Sequence, residues 1–266
     1  MSRIVYLNGE YMEAADAKVS IFDRGFTFAD GVYEGIGIVD GVAFDALNHM
    51  NRLKRSLKEL EISLCDEEVE ALPEVWANLI HRNDVEEGLV YLQVTRGAPS
   101  DRSYMFPSSN VRATVVLFVQ RMNLINNPVA KRGQAVITIP DNRWGRRDIK
   151  TIQLLTQSLG KNAAKAQGCD DAWLYNPSDD MVNEACSANA HIITREGALV
   201  TRQLSTDILH GITRAYVLHL ANDHHLTVQE RSFTRQEAYD AKEAFVTSSS
   251  VCLRNPENSE LIVLEG

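Results

Sequence analysis

Lys150 closes the stretch Arg143-Trp144-Gly145-Arg146-Arg147-Asp148-Ile149-Lys150, in which three arginines precede one lysine. A lysine amine attacks carbonyl carbon once it has lost its proton, and neighbouring cations together with desolvation push it toward that form. Alone in a basic run, a lysine is a solvated surface group, so its chemistry depends on partners elsewhere. A carboxylate is offered by Glu184, where Met181-Val-Asn-Glu184-Ala runs into the small-residue turn 185–189. Arginines are offered by Arg52 and Arg102. Gly211-Ile212-Thr213 stands in front of a helical pattern, and a helix N-terminus presents unpaired amides that bind phosphate. Thr247, Ser248, Ser249 and Ser250 bring four hydroxyls together, which again suits an oxyanion.

The elements that must position these groups follow from periodicity. Residues 134–140 alternate in a β-branched run closed by Pro140, and Ile152, Leu154, Leu155, Leu159, Ala163 and Ala164 then recur at helical spacing. Lys150 is therefore expected where a covered strand hands over to a helix. Val5–Leu7 and 10–13 read as a hairpin about Asn8-Gly9, and 32–39 with 42–45 as a second about Asp40-Gly41. Tyr33, Gly35 and Gly37 share one face of that strand, where glycine marks either a bulge or the close approach of a ligand or backbone. Leu47, Met50, Leu53, Leu57 and Leu60 predict a helix over 47–61 with Arg52 beside the apolar stripe, and a second helix is predicted over 66–82. Strands at 89–95 and 113–119 flank a polar loop carrying Arg96, Arg102 and Tyr104, a combination suited to anion recognition. Residues 123–133, rich in Asn, Pro and Gly, read as a linker between an N-terminal domain, 1–122, and a C-terminal domain, 134–266. In the latter, strands are expected at 171–175, 181–185, 191–194, 198–201 and 244–250, with a helix over 214–222.

Composition narrows the partners. A chain of 266 residues, 44% hydrophobic, has ample material for a core, and a net charge of −9 argues against general nucleic-acid binding and for a small-molecule partner. The first residues lack a charged segment followed by an apolar one, and no eighteen apolar residues run together, so a cytoplasmic protein is expected. Cys65, Cys169, Cys186 and Cys252 lack Cys-x-x-Cys spacing and are expected to be reduced, mostly packed thiols. His224-His225 is a neighbouring pair that reads as a polar helix end, and no metal is expected.

A lysine, a glutamate, an arginine, a helix N-terminus and a hydroxyl cluster are together what pyridoxal phosphate requires. The order and wording of Tyr6-Leu-Asn-Gly9, Phe28-Ala-Asp-Gly-Val-Tyr-Glu34, Arg143-Trp, Asp148-Ile-Lys150, Asn183-Glu184 with Ser187 and Asn189, Gly211-Ile-Thr-Arg214 and Val246-Thr-Ser248 resemble the class IV aminotransferases, most of all their D-amino acid branch. The resemblance implies a two-domain α/β (α+β) enzyme of fold type IV, with a small N-terminal α/β domain and a larger C-terminal domain with a barrel-like core. It implies that Lys150 forms the Schiff base and moves the proton, and that Glu184 partners the pyridine nitrogen. Arg52, Ile212, Thr213, Ser248 and Ser249 would hold the phosphate, Leu209 would pack on the ring, and Arg143 and Ser187 would border it. Tyr33, with Gly35 and Gly37, would line the substrate pocket, and Arg102, with Tyr104, would lie on the loop that receives the substrate carboxylate. That loop commonly crosses from a partner subunit, so a homodimer is implied.

The chain departs from the branch in three places. Arg102-Ser103-Tyr104 stands where Arg-x-His is usual, in a loop one residue longer. Gly35 and Gly37 replace larger side chains and widen the pocket toward bulky or aryl donors. The tail from Cys252 to Gly266 lacks the usual closing elements. The expected reaction is amino transfer between a D-amino acid and a 2-oxo acid. The alternatives are an (R)-selective amine transaminase, an aminodeoxychorismate lyase, and a homologue that binds the cofactor without turnover.

Overall fold

The computed structural model describes residues 3–249, so the altered tail and Cys252 lie outside the described residues. The chain divides into two compact units. One comprises Met1–Leu124 with Ile149–Gln153, and the other Ile125–Asp148 with the chain from Leu154 onward. The architecture is the mixed α/β class expected.

The first unit is built on one antiparallel sheet. Its elements are β1 (Ile4–Leu7), β2 (Glu10–Glu13), the short α1 (Arg24–Phe28), β3 (Gly31–Val39), β4 (Val42–Ala43), α2 (Ala46–Glu59), α3 (Asp66–Arg82), β5 (Gly88–Thr95) and β6 (Thr114–Arg121). The strands lie in the order β2-β1-β6-β5-β3-β4. Alternation sends Val32, Ile36 and Ile38 of β3, with Val90, Leu92 and Val94 of β5, to one face where all are buried. Leu53 and Leu57 of α2 and Leu72 and Leu79 of α3 are buried as their spacing predicts, each such side chain contributing about 1.5–3 kcal/mol. Residues Asp66, Glu67 and Glu68 in the first turn of α3, and His81 and Arg82 in the last, match the helix dipole.

β4 covers β3 only at Ile38 and Val39, which leaves the first half of that strand with an open edge. Residues 149–153 fill it. Thr151 bridges Val32, the Tyr33 amide donates to the Lys150 carbonyl at 3.0 Å, and the Ile152 amide donates to Gly31 O at 3.1 Å. Gly31 permits this approach, because a Cβ there would meet Val94 O at 2.8 Å and Ile152 Cδ1 at 3.0 Å. Lys150 thus lies on an excursion pinned to β3 rather than at a direct handover from strand to helix. The downstream helix begins only at Leu155, after the segment paired with β3.

The second unit contains α4 (Pro128–Arg132), β7 (Val136–Pro140), α5 (Leu155–Ala166), β8 (Asp171–Asn176), β9 (Met181–Ala185), β10 (Asn189–Ile193), β11 (Leu199–Thr201), α6 (Ile212–Asp223), β12 (Val228–Glu230), α7 (Arg235–Asp240) and β13 (Glu243–Thr247). The helix α4, capped by Asn127 with Pro128 in its first turn, occupies part of the stretch read as a linker. Two sheets result, ordered β7-β8-β9 and β12-β11-β10-β13, and Trp173, Val182, Ile192, Val200 and Phe233 form a buried cluster. The strand expected over 244–250 ends at Thr247, with Ser248 and Ser249 following it. Cys186 is buried and Cys169 partly so, whereas Cys65 is exposed at the start of α3. Among the described residues no helix is long and apolar enough to cross a membrane.

Candidate active site

In the first unit, pairing with β3 fixes the backbone of Lys150, and its Nζ lies 4.3 Å from the centre of the Tyr33 ring. Tyr33 stacks on Tyr91, and Tyr91 on Phe118, giving an aromatic row across β3, β5 and β6. Gly35 stands opposite Tyr91, and a Cβ added there would meet only Leu89, at an ordinary 3.6 Å. Tyr91 and Phe118 were not singled out in the sequence. Their signal was available, since both fall by alternation and register on the face of Tyr33.

The opposite face of β3 carries Glu34, which is wholly buried. Arg52 of α2 donates to it from Nε at 2.8 Å and from Nη2 at 2.7 Å, and His49 Nδ1 lies 2.8 Å from Oε2. Burial alone would raise this carboxyl, but the Arg52 charge, the hydrogen bonds and Lys150 outweigh it and hold Glu34 at about 2. The arginine singled out as a phosphate ligand is therefore first of all the partner of a buried glutamate.

Arg102 and Tyr104 sit on an exposed loop, with the Arg102 guanidinium 4.5 Å over Phe28 and 5.0 Å over Tyr104. The loop is tethered from beneath. Buried Arg24 pairs with Asp30 and donates to Ser103 O at 2.6 Å, while Arg96 pairs with the same aspartate and lies 3.6 Å over the Phe106 ring.

The second unit gathers a different set around Glu184, which is 3% exposed at the end of β9. Arg143 Nη1 donates to Oε1, Asn189 Nδ2 to Oε2 at 2.8 Å, and the Leu209 amide reaches both oxygens at 3.2 and 3.3 Å. Arg143 is shared, because Asp141 takes its Nε at 2.9 Å and its Nη2 at 2.7 Å. Asn183 donates to the same aspartate at 2.8 Å. Burial raises the Glu184 carboxyl above the ordinary glutamate range, Arg143 and the Leu209 amide pull it back, and Asp141 adds to the rise. Glu34 has His49 and the Lys150 charge beside its arginine, whereas the arginine at Glu184 is shared with Asp141, whose own charge adds to the rise.

Gly211 caps α6 without a side chain, so the amides of Ile212 and Thr213 lie at an uncapped helix N-terminus. Ser248 and Ser249, both half-buried, follow β13, whose last residue Thr247 is paired with Asn189. Ser187 is exposed in the turn between β9 and β10. The structure therefore brings Lys150 to Tyr33 in one unit, and Glu184 to Arg143 and Leu209 in the other. Asp141 carried only a faint sequence signal, a carboxylate two residues before Arg143, which the fold turns into a fork-to-fork grip.

An amino-transferase class IV family model matches residues 31–255. The chain belongs to the class IV aminotransferases. It is 33% identical over 262 residues to the D-alanine aminotransferase of Staphylococcus aureus (strain MSSA476), covering 98% of this chain and 89% of that one. Among solved structures it resembles the branched-chain aminotransferase of Thermoproteus uzoniensis with a TM-score of 0.81 at 25% identity, over 100% of this chain and 90% of that one. The fold is also shared with a hypothetical aminotransferase from Mycobacterium tuberculosis in its PLP-bound form, with a TM-score of 0.79 at 19% identity, over 94% and 89% of the two chains.

Proposed function

We propose that this aminotransferase uses pyridoxal phosphate to move an amino group between a D-amino acid and a 2-oxo acid. The observation that carries the chemistry is Lys150, whose backbone is held in pairing with β3 while its amine lies over Tyr33. The D-amino acid side rests on the relatedness to a D-alanine aminotransferase over nearly the whole chain.

The residues present fit the cofactor. A buried carboxylate with raised proton affinity suits a pyridine nitrogen, and an uncapped helix N-terminus followed in the chain by two serines suits a phosphate. When bound, pyridoxal phosphate supplies an electron-accepting ring that stabilises negative charge on the donor's α-carbon. Lys150 Nζ would hold the cofactor through its aldehyde carbon until the donor amine displaces it, and the freed amine would then take the donor's α-proton and return it to the carbon of the former aldehyde. Glu184 would keep the proton on the ring nitrogen, with Arg143 bordering the ring and Leu209 packing on it. Arg52, steadied by Glu34, would join Ile212, Thr213, Ser248 and Ser249 in the proposed phosphate set, and Ser187 would border the ring.

Arg102 would receive the donor carboxylate beside Tyr104, and Tyr33, Gly35 and Gly37 would shape the pocket. Its loop exposes Tyr104 at 79%, Met105 at 78% and Phe106 at 58%, which supports a homodimer in which this surface meets a second copy. A second reading, an (R)-amine transaminase, is favoured by Gly35, which brings no side chain to the face of Tyr33, where a Cβ would make ordinary contact with Leu89. The deciding experiment follows absorbance of the cofactor-loaded protein during titration with D-alanine, L-alanine and (R)-1-phenylethylamine. Conversion by D-alanine first is expected. Conversion by the amine with none by D-alanine would overturn the D-amino acid reading.

A further inference from the structure

Asn189 stands where several parts of the second unit converge. Its Nδ2 donates to Glu184 Oε2 at 2.8 Å and to the Leu209 carbonyl at 2.9 Å, and the residue is 5% exposed. Its Oδ1 rests against Gly211, the cap of α6, so closely that a Cβ on Gly211 would lie 1.9 Å from that oxygen. Its backbone pairs with Thr247, the residue that leads into Ser248. One small amide therefore touches the buried carboxylate, the Leu209 backbone and the entry to the helix terminus.

We infer that Asn189 is a positioning residue that ties the Glu184 carboxylate to the N-terminus of α6, so that the ring-nitrogen end and the phosphate end of one ligand are set at a fixed spacing. The inference rests on the reading that pyridoxal phosphate binds here. Asparagine suits the task for a physical reason. It donates two hydrogen bonds from one nitrogen, one of them to a charged acceptor, while its uncharged oxygen packs against a residue with no side chain. An aspartate would set a second negative charge against Glu184, and an alanine would leave Glu184 with one donor fewer and the Leu209 carbonyl without this one.

The consequence is coupling between ends. Asn189→Ala should weaken binding of inorganic phosphate, although Asn189 is not among the proposed phosphate ligands. Gly211→Ala, a change at the helix end, should displace Asn189 and so weaken binding of pyridoxal, which carries no phosphate.

The test is equilibrium titration of the cofactor-free full-length chain with pyridoxal 5′-phosphate, pyridoxal and inorganic phosphate, alongside ligand-free melting curves. Parent protein that fails to bind pyridoxal 5′-phosphate would overturn the cofactor reading itself. With parent binding in hand, Asn189→Ala is expected to weaken pyridoxal 5′-phosphate about ten-fold or more and phosphate several-fold. Gly211→Ala is expected to weaken pyridoxal by a similar factor. In the double variant the added methyl has space, so the losses should not multiply and the pair should bind no worse than Asn189→Ala alone. If one single variant does not fold, the other still reads the coupling, and recovery of folding in the double variant supports it. Losses that multiply, or an Asn189→Ala variant that melts lower yet binds all three ligands as the parent does, would overturn the inference.

Discussion

Replacing Glu34 with glutamine should destabilise the first unit by about 3–5 kcal/mol. The carboxylate has no solvent exposure and neutralises Arg52, itself 8% exposed, while also facing His49. Breaking a buried pair from one side leaves the other charge uncompensated, which costs about 3–5 kcal/mol. A second route gives a similar figure. A carboxyl held at about 2 rather than 4.5 prefers its ionised form in the fold by about 3 kcal/mol, at 1.36 kcal/mol per pH unit. With a urea slope of about 2 kcal/mol per molar, the midpoint should fall by roughly 2 M for the transition that melts this unit, followed by circular dichroism at pH 7. The folded carboxyl titrates below the unfolded one, so its contribution is present above about pH 4 and is lost as pH falls toward 2. The gap between parent and Glu34→Gln should therefore narrow below pH 4. Replacing both Glu34 and Arg52 with methionine should recover much of the loss, because paired apolar groups leave less charge to compensate. A midpoint shift under about 0.5 M, or a double variant as unstable as Glu34→Gln, would refute this reasoning.

Glu184→Gln should retain the cofactor yet lose about 100-fold in turnover, measured as kcat under saturating donor; an unchanged kcat would mean that another group serves the ring nitrogen. His191, stacked on Phe245 with Nε2 2.9 Å from Thr247 Oγ1, is pushed down to about 3 by burial and by the Arg214 charge. Its unfolded form takes a proton near pH 6.5 and the folded form does not, so stability falls as pH drops from about 6.5, by about 3 kcal/mol at pH 4. His191→Gln should flatten that acid limb in unfolding curves taken from pH 7 to 4, and an unchanged slope would contradict the assignment. Arg102→Leu should lower kcat/KM for D-alanine about 10- to 100-fold while sparing (R)-1-phenylethylamine, because a charge-assisted carboxylate contact is worth roughly 1.5–3 kcal/mol. Equal losses on both donors would refute carboxylate capture by Arg102.

What was legible in the sequence was mostly local. The apolar spacing and acidic start of 66–82 match α3, and the Asn8-Gly9 and Asp40-Gly41 turns join the strand pairs expected. His224 caps the end of α6, as the polar pair suggested. The family was legible because short words around Lys150, Glu184 and Gly211 occur in the right order. What escaped depends on tertiary pairing. The segment holding Lys150 pairs with a strand more than a hundred residues earlier, and a polar run before a helix carries no trace of that. The helix α1 has only five residues and is set by Asp23, whose side chain accepts from the Gly25 amide, too short a span for periodicity to mark. The capping box of Thr234 and Glu237 at α7 is a signal that spacing alone carries. The grip of Asn189 on Glu184 exists only once β9 and β10 have met, and although Asp141 and Arg143 are two residues apart, their shared hold on Glu184 needs β9 as well.

The account turns on Lys150 as the residue that carries the cofactor. Loading the full-length protein with pyridoxal 5′-phosphate, reducing with borohydride and mapping the digested peptides by mass spectrometry measures this directly. The cofactor's mass should be found on the peptide containing Lys150 and should be absent in Lys150→Ala, which should also show no amino transfer. Attachment at another lysine, or normal turnover by Lys150→Ala, would contradict the central claim.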